Sequence, residues 1–410
     1  MPVQLLKTLL LTLCASLIAG CSAAAFHQST GPGTTQTAGC PPSGHWYRLA
    51  DGPLTATLGA DVLGQAAHAN VVLLGEQHTN KDDHRWQLQT LAALHLLRPD
   101  MVIGFEAFPR RLQPVLDQWV AGKLDAEQFL QQSQWDKVWG YAAELYMPLF
   151  QFARINRIPM IALNVDISLP DAVRKQGWDN VPQADRHGIS RPAPAPQSYV
   201  DTLYKVFKQH GADHAHADIN RTDPRFRHFV QAQTVWDRAM AQALAAQAQS
   251  EGNNQPPLVV GIMGVGHVRN GYGVPHQLRA LGVEHISTLL PVNMADDECP
   301  SLPSGYADAV FVLPASPAAS EHQPPRPRLG VHIENTAHGV RITQVEADSL
   351  AQHSGLQAGD NIITLAGRPV VDTTQVISAI HAQPPGTWLP VQIRRRHETF
   401  ARVIKFPIAP

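Results

Sequence analysis

The sequence lacks a charge bias and has no cluster of basic residues. Among its 410 residues, 32 are lysine or arginine and 34 are aspartate or glutamate, and the formal net charge is -2. Nucleic-acid-binding domains need basic patches that contact phosphates, so the composition excludes nucleic acid as a partner. Hydrophobic residues make up 44% of the chain. That proportion is typical of globular proteins, and the length is sufficient for two or three domains.

Apolar runs long enough to cross a membrane are also lacking. The N-terminal run LLLTLCASLIA is too short to span a bilayer, and it predicts a lipoprotein signal peptide in residues 1–20. The run ends in Ile-Ala-Gly-Cys, which resembles the bacterial lipobox, so we expect lipid on Cys21 to anchor the mature chain. Ser22 stands where aspartate would retain a lipoprotein in the inner membrane, which favours the outer membrane of a Gram-negative cell. A secretory signal cleaved elsewhere is the alternative.

Cysteine is scarce, with four residues in the whole chain. Cys14 leaves with the signal peptide and Cys21 carries the lipid, which leaves Cys40 and Cys299. In an exported protein these two can form a lasting disulfide, and we expect that they do. Two unconnected thiols are the alternative.

Histidine, in contrast, is abundant, with 20 residues against seven tyrosines and seven methionines. It is the commonest metal ligand and titrates near neutral pH, so the excess favours metal or cofactor chemistry. His210, His214 and His216 lie in a Pro-, Ala- and Asp-rich segment, residues 170–224, which predicts an insertion or lid. This His-rich tract either binds a metal or is a solvated loop.

Strand-like and helix-like segments alternate over residues 45–314, after a Ser/Thr/Gly/Pro-rich stretch, residues 21–44, that predicts a flexible tether. Six apolar runs are typical of buried strands: NVVLLG, DMVIGFE, PMIALNV, PLVVGIMG, HISTLL and YADAVFVLP. The alternation predicts an α/β domain with a mainly parallel sheet and helices on both faces.

The C-terminal segment, residues 328–408, follows a Pro-rich linker, residues 315–327. It resembles a small, β-rich PDZ domain of the bacterial type, on the residues Leu329-Gly330-Val331 and the run SGLQAGDNIITLAGRPV. The resemblance implies that Leu329, Gly330 and Val331 bind the terminal carboxylate of a peptide, which adds to a sheet edge as an extra strand. Packing of this domain against its neighbour is the alternative.

Polar residues follow three of the predicted strands in the α/β domain. The motif GEQH contains Glu76 and ends in His78, the motif GVGH ends in His267, and Glu106 closes a third run. The carboxyl ends of parallel strands meet at one edge of a sheet, where ligands bind. We therefore expect these four side chains to converge in one cleft.

Two kinds of chemistry suit this set of imidazoles and carboxylates. His78, Glu106 and His267 are candidate ligands for a divalent transition metal such as iron, manganese or zinc. All four residues are also candidate catalytic groups, with Glu76 as general base. The structural alternatives are a salt bridge from Glu106 to a nearby arginine and a plain tight turn at GVGH.

The α/β segment is identified as a member of the ChaN family of haem-binding lipoproteins, in the Tiki and erythromycin-esterase-like superfamily. The stretches that carry the resemblance are VVLLGEQHTNKDDHRWQ, IGFEAFPR, IPMIALN, FVQAQTVWDRAMA and GVGHVRNGYGVPHQL. The resemblance implies a haem-binding protein that acts in iron acquisition and forms a homodimer. Some members of the superfamily are metal-dependent proteases or hydrolases.

Candidate haem ligands follow from this resemblance, because a tyrosinate or an imidazole suits ferric haem in a carrier. Tyr272, between two glycines in NGYGVP, is the leading candidate, and Arg269 is placed to pair with a propionate. His267, His78 and His276 are the other candidates. Two further tyrosines, Tyr141 and Tyr146, are expected in the core.

Two functions are therefore the main alternatives, and the closer resemblance to the haem-binding family favours the first. The first is a haem-binding outer-membrane lipoprotein with a PDZ module that docks a peptide or partner. The second is a metal-dependent hydrolase that uses both Gly-x-x-His motifs and Glu106. A third reading assigns function to the PDZ domain alone.

Overall fold

The computed structural model of the protein describes residues 41–49, 54–209, 219–250, 256–293, 302–314, 327–336, 339–381 and 383–407. Some of the predicted positions lie outside these ranges: Cys21, Cys40, Cys299, His210, His214 and His216. The lipid anchor, the disulfide and the His-rich tract therefore stay predictions.

In the described part of the N-terminal α/β domain, eight strands form one sheet in the order β2-β1-β8-β7-β3-β6-β4-β5. The central pairs β7–β3, β3–β6, β6–β4 and β4–β5 are parallel, as is β7–β8. The prediction of a mainly parallel sheet is confirmed. The strands are β1 His45–Arg48, β2 Thr55–Thr57, β3 Val71–Glu76, β4 Met101–Pro109, β5 Met160–Asn164, β6 Leu258–Gly264, β7 Ile286–Asn293 and β8 Ala309–Leu313.

Helices cover both faces of this sheet, because its central strands are apolar on both sides. Successive side chains of a strand point to opposite faces, so Val72 and Leu74 join one core while Val71 and Leu73 join another. Helices α1–α6 supply side chains to the first core, and α9 and α10 to the second. The helices of this domain are α1 Gly59–Ala67, α2 Lys81–Leu97, α3 Gln113–Val120, α4 Ala126–Gln132, α5 Trp135–Val138, α6 Ala143–Ile155, α7 Ser168–Gln176, α8 Gln197–Gln209, α9 Pro224–Ala248 and α10 Val274–Ala280.

Two short strands at the sheet edge, β1 and β2, were not predicted. They pair antiparallel with each other, and β1 also pairs antiparallel with β8. Each has only three or four residues, which is too short for a periodic pattern to show. The sheet is therefore mixed at this edge and parallel around the predicted cleft.

The C-terminal domain has an antiparallel sheet, in which β9 lies at one edge in the order β14-β13-β11-β10-β9. Helix α12 contacts β9, and this pairing of an edge strand with a helix is the feature a PDZ groove needs. Among the described residues, no helix is long and apolar enough to cross a membrane. The elements of this domain are β9 Val331–Thr336, β10 Gly339–Val345, α11 Leu350–His353, β11 Asn361–Leu365, β12 Arg368–Pro369, α12 Thr373–His381, β13 Trp388–Arg395 and β14 Glu398–Lys405.

Candidate functional site

The strands that carry the polar motifs are neighbours in the sheet. Strand β6 lies between β3 and β4, and Glu76 at the end of β3 is in register with Gly264 at the end of β6. Glu106 lies one residue beyond the last pair of β4 with β6, Phe105 with Ile262. All three motifs therefore reach the same edge of the sheet.

Glu76 is the centre of the first polar group. Its carboxylate is 2% exposed, and its Oε1 accepts hydrogen bonds from His78 Nδ1 at 2.9 Å and from the Tyr146 hydroxyl at 2.6 Å. Burial alone would raise the pKa of Glu76, but the hydrogen bonds from His78 and His84 outweigh it and lower the pKa to about 2. A carboxylate held in this way is a weak base, so the geometry does not support the general-base role predicted for Glu76.

His84, which the sequence analysis did not single out, completes this group. Its Nε2 donates to the backbone carbonyl of His78 at 3.1 Å, and its Nδ1 lies 3.2 Å from Glu76 Oε2. Both ring nitrogens therefore face oxygen atoms. Burial opposes a charge on the ring, but the hydrogen bond and the charge of Glu76 outweigh it and raise the pKa of His84. Glu76 Oε2 and His84 Nδ1 thus face each other in the interior.

Glu106 and His267 form a second polar group on the other side of β6. Glu106 Oε2 accepts the backbone N–H of Gly264 at 2.7 Å, and its Oε1 lies 3.3 Å from His267 Nε2. The neighbouring arginines bind elsewhere: Arg110 donates to the carbonyl of Ala239, and Arg111 pairs with Asp166. The structural alternative for Glu106, a salt bridge to a nearby arginine, is therefore wrong.

His267 also binds Asp237, a residue that the sequence analysis missed. Its Nδ1 lies 2.6 Å from Asp237 Oδ1, and Asp237 Oδ2 accepts the hydroxyl of Tyr199 at 3.0 Å. Burial disfavours the charged imidazole, but Glu106 and Asp237 outweigh this and raise the pKa of His267 well above its usual value. The sequence does contain a signal for Asp237. Met240, three residues further along α9, belongs to the apolar core, and residues at this spacing lie on the same face of a helix. Asp237 is therefore a charged residue on an apolar face.

Gly264 brings the two groups together. A Cβ at this position would lie 2.9 Å from His78 Cε1 and 3.6 Å from Glu106 Oε2. Since Glu106 also contacts His267, the structure brings His78, Glu106 and His267 into one cleft at the sheet edge. Glycine is required there because any side chain would occupy the space of the His78 ring.

The cleft does not fit a metal ion. In the ranges that the structure describes, no group of three or more histidine, cysteine, aspartate or glutamate side chains is placed to hold one. Both nitrogens of His267 face carboxylates, and His78 Nδ1 faces Glu76. The geometry of the described residues therefore does not support the metal-ligand set predicted at His78, Glu106 and His267.

Aromatic rings line the open side of His78. The rings of Trp139 and Tyr141 lie 4.8 and 4.9 Å from the His78 ring, centroid to centroid. The His78 side chain is 25% exposed, whereas Tyr146 is 1% exposed and belongs to the core as predicted. Tyr141, by contrast, is half-buried beside the cleft.

Tyr272 lies on a tight loop that starts beside His267. The loop has positive φ at Asn270, Gly271 and Gly273, with values of 60°, 66° and 55°. The Tyr272 ring is half-buried and lies 5.5 Å from that of Tyr199, centroid to centroid. Its hydroxyl makes no hydrogen bond with any residue that the structure describes.

The other two predicted haem-site residues flank this loop. Arg269 is half-buried, and its guanidinium makes no ion pair or hydrogen bond with the described part of the chain. His276, at the start of α10, donates from Nε2 to the backbone carbonyl of Pro194 at 2.8 Å. Arg269 is thus available for an anion, while one nitrogen of His276 is already engaged.

The fold and the cleft define a mostly parallel α/β domain with a polar site at its carboxyl edge, followed by a PDZ domain. A family model described as haem-binding uptake, Tiki superfamily, ChaN matches residues 62–278, more than half of the chain. A PDZ model matches residues 327–403. The chain therefore belongs to the ChaN family of haem-binding uptake proteins and carries a PDZ domain, which confirms the resemblance found in the sequence.

Comparison with solved structures gave matches to each domain, of which three are described here in turn. A structure described as cofacial heme binding to ChaN of Campylobacter jejuni is 16% identical and covers 65% of this chain and 96% of that chain, with a TM-score of 0.49. The HtrA3 PDZ domain bound to a phage-derived ligand is 24% identical and covers 19% and 82%, with a TM-score of 0.18. The HtrA-type protease AlgW with a decapeptide is 20% identical and covers 21% and 30%, with a TM-score of 0.20. A search of curated proteins returned no match.

Proposed function

We propose that this protein binds haem through Tyr272 and acts in haem or iron acquisition. The observation that carries the proposal is the state of Tyr272: a half-buried tyrosine on a Gly-flanked loop, whose hydroxyl has no partner among the described residues. This oxygen is not among the buried polar atoms of the described residues, so a ligand can reach it. The two glycines allow the positive φ of the loop that presents this hydroxyl.

The neighbouring residues fit the same ligand. When bound, haem would supply a ferric iron, and a tyrosinate is a suitable residue to hold it. The Arg269 guanidinium, two residues before Gly271, makes no ion pair or hydrogen bond with the described residues. Arginine binds carboxylates such as propionates well. Tyr272 would hold the iron and Arg269 would fix one edge of the porphyrin.

The predicted histidine ligands rank behind Tyr272. Both nitrogens of His267 face carboxylates, and Nε2 of His276 is bound to a carbonyl. Within the described ranges, Nε2 of His78 makes no hydrogen bond, and the ring has aromatic neighbours. His78 is therefore the second candidate for an axial ligand.

The cellular setting is part of the proposal. The lipobox supports acylation of Cys21, and Ser22 supports transport of the lipoprotein to the outer membrane. The family supports a homodimer in which haem lies between subunits. If Cys21→Ser in the full precursor leaves the protein in the membrane fraction after cell lysis, the anchor assignment is wrong.

We also propose that the PDZ domain docks the C-terminus of a peptide or partner protein. The supporting feature is the position of β9 at the edge of the sheet, as far as the chain is described, next to α12. Gly330, with φ of +72°, turns the chain just before β9, so that backbone N–H groups of Leu329, Gly330 and Val331 can meet a carboxylate. Screening the full-length protein against a C-terminal peptide library tests this, and a library without any binder would contradict it.

A metal-dependent hydrolase of the same superfamily is the second candidate. It is favoured by one observation: two oriented carboxylate–imidazole pairs, Glu76–His78 and Glu106–His267, share a single cleft. The misfit to a metal ion and the low pKa of Glu76 count against it. Turnover of a panel of ester and peptide substrates that is lost in His78→Ala would put this candidate ahead.

Hemin titration tests the haem proposal directly. The protein should give a shifted Soret band and the charge-transfer band of ferric tyrosinate, and Tyr272→Phe should remove that band. Tyr141→Phe is the matched control, since Tyr141 is also half-buried but lies beside His78. A spectrum that Tyr272→Phe leaves unchanged would show that another residue is the ligand.

A further inference from the structure

The ring of Tyr272 rests on a second tyrosine that is itself held in place. The Tyr199 ring lies 5.5 Å away, at 30° to the Tyr272 ring. Tyr199 is 3% exposed, and its hydroxyl donates to Asp237 at 3.0 Å. If Tyr199 turned away, a fully buried carboxylate would lose a hydrogen bond, and this is costly in a low-dielectric interior.

Asp237 is fixed in turn by the second Gly-x-x-His motif. It accepts from His267 at 2.6 Å, and the backbone of the Tyr272 loop lies directly on this pair. A Cβ at Gly273 would be 2.4 Å from the His267 carbonyl oxygen and 2.9 Å from Asp237 Oδ1. The residue that follows Tyr272 therefore has its position set by Asp237 and His267.

The segment that delivers Tyr199 is tied to the same loop. Gln277, in the helix after Tyr272, exchanges two hydrogen bonds of 2.8 Å with the backbone of Ala193. His276 bonds to Pro194, and α8 with Tyr199 begins three residues later. This part of the predicted insertion is a fixed wall of the Tyr272 site.

We infer that Tyr199 is a positioning residue for Tyr272, and that Asp237 and His267 anchor it. The inference rests on the proposed role of Tyr272 as haem ligand. The imidazole of His267 holds Asp237, Asp237 holds Tyr199, and Tyr199 supports the ring of Tyr272. His267 thereby has a function in a haem-binding protein without coordinating iron and without taking part in a reaction.

A double-mutant cycle in the full-length protein tests the inference, with hemin affinity as the readout. Tyr199→Ala should weaken binding about tenfold, because it removes one aromatic pair, while Tyr199→Phe, which keeps the ring, should stay within about threefold. If Tyr199 acts through Tyr272, Tyr199→Ala should cost nothing further in a Tyr272→Phe background. Losses that simply add would overturn the inference.

Tyr204 provides a matched control on the same helix. Its ring packs 5.0 Å from that of Phe226, and its hydroxyl binds the Ile219 carbonyl at 2.8 Å, so Tyr204→Ala removes similar contacts. This variant should lower thermal stability without changing hemin affinity. An equal loss of affinity in both variants would mean that Tyr199 has only a general structural role.

A measurement without haem separates this inference from the proposed function. The chain has seven tyrosines, so a ¹⁹F spectrum of the 3-fluorotyrosine-labelled apo-protein can be assigned by substitution. The Tyr272 resonance should shift or broaden in Tyr199→Ala and stay unchanged in Tyr204→Ala. If it does not move in Tyr199→Ala, the positioning role is refuted. If the resonance moves as expected but the hemin spectrum is the same in Tyr272→Phe and wild type, the ligand assignment is refuted and the positioning role is retained.

Discussion

Replacing Tyr146 by phenylalanine removes one hydrogen bond from a buried carboxylate and leaves the shape of the ring unchanged. The hydroxyl donates to Glu76 Oε1 at 2.6 Å, and neither residue is more than 2% exposed. Because hydrogen bonds to charged groups contribute about 1.5–3 kcal/mol, we expect Tyr146→Phe to lower the free energy of unfolding by about 2 kcal/mol at pH 7. Tyr47 is the matched control: it is also buried, but its hydroxyl donates to the neutral carbonyl of Pro42 at 2.9 Å. Tyr47→Phe should cost about 1 kcal/mol.

The two variants should differ in their pH dependence. Burial raises the pKa of Glu76, but hydrogen bonds from His78, His84 and Tyr146 outweigh it and lower the pKa from 4.5 to about 2. A carboxylate whose folded-state pKa is lowered contributes stability that is fully present above its unfolded pKa and is lost as the pH falls towards the folded value. The cost of Tyr146→Phe should therefore shrink as the pH falls from 4.5 towards 2, whereas the cost of Tyr47→Phe should stay constant.

Urea unfolding followed by tryptophan fluorescence measures both costs. Of the eight tryptophans, only Trp388 lies in the PDZ domain, so the signal reports the α/β domain. Both variants and the wild type would be compared at pH 7 and at several values below 4.5. Equal costs at pH 7, or a Tyr146→Phe cost that does not change with pH, would refute the reasoning.

Three further predictions concern the cleft and the PDZ turn. Gly264→Ala should displace the His78 ring and lower the free energy of unfolding, measured in urea, by about 1–3 kcal/mol. Gly266→Ala is the control, with nothing within 4 Å of the added carbon, and should change this free energy by less than about 0.5 kcal/mol. Equal effects would contradict the close fit at Gly264. In the PDZ domain, Gly330→Ala would place the new carbon 2.3 Å from Ser349 Cβ, at a residue with φ of +72°. Peptide binding, measured by fluorescence anisotropy, should therefore be lost. Retained binding would count against the carboxylate-binding turn. Elemental analysis of the purified protein should give the same metal content for the wild type and His267→Ala, and metal lost from that variant would show that the cleft does hold an ion.

The sheet could be predicted because its central strands are buried on both faces. Runs such as NVVLLG and PLVVGIMG have no polar alternation, and the strands β3 and β6 were found in them. The convergence of Glu76, Glu106 and His267 also followed from sequence, since parallel neighbouring strands end at one edge. Strand β2, with three residues, offered no period to detect.

The partners of these residues could not be predicted in the same way. Tyr199 and Asp237 lie on helices, 68 and 30 residues before His267 in the sequence. Only tertiary packing joins them to the cleft. The charge of Asp237 on an apolar stripe was a readable signal, but its partner was not. The role of His84 could not be predicted either. It lies in the motif that follows β3, but its contact with Glu76 depends on how α2 packs beside that strand.

The reciprocal amide pair between Gln277 and Ala193 decides where this domain can be recombined with a relative. A chimera that exchanges everything between β5 and α9 would cut this pair and replace Tyr199 together with it. An exchange that starts after the end of α8 at Gln209 and stops before Pro224 retains both. A chimera should therefore keep residues 193–209 together with α9 and α10 of the same parent.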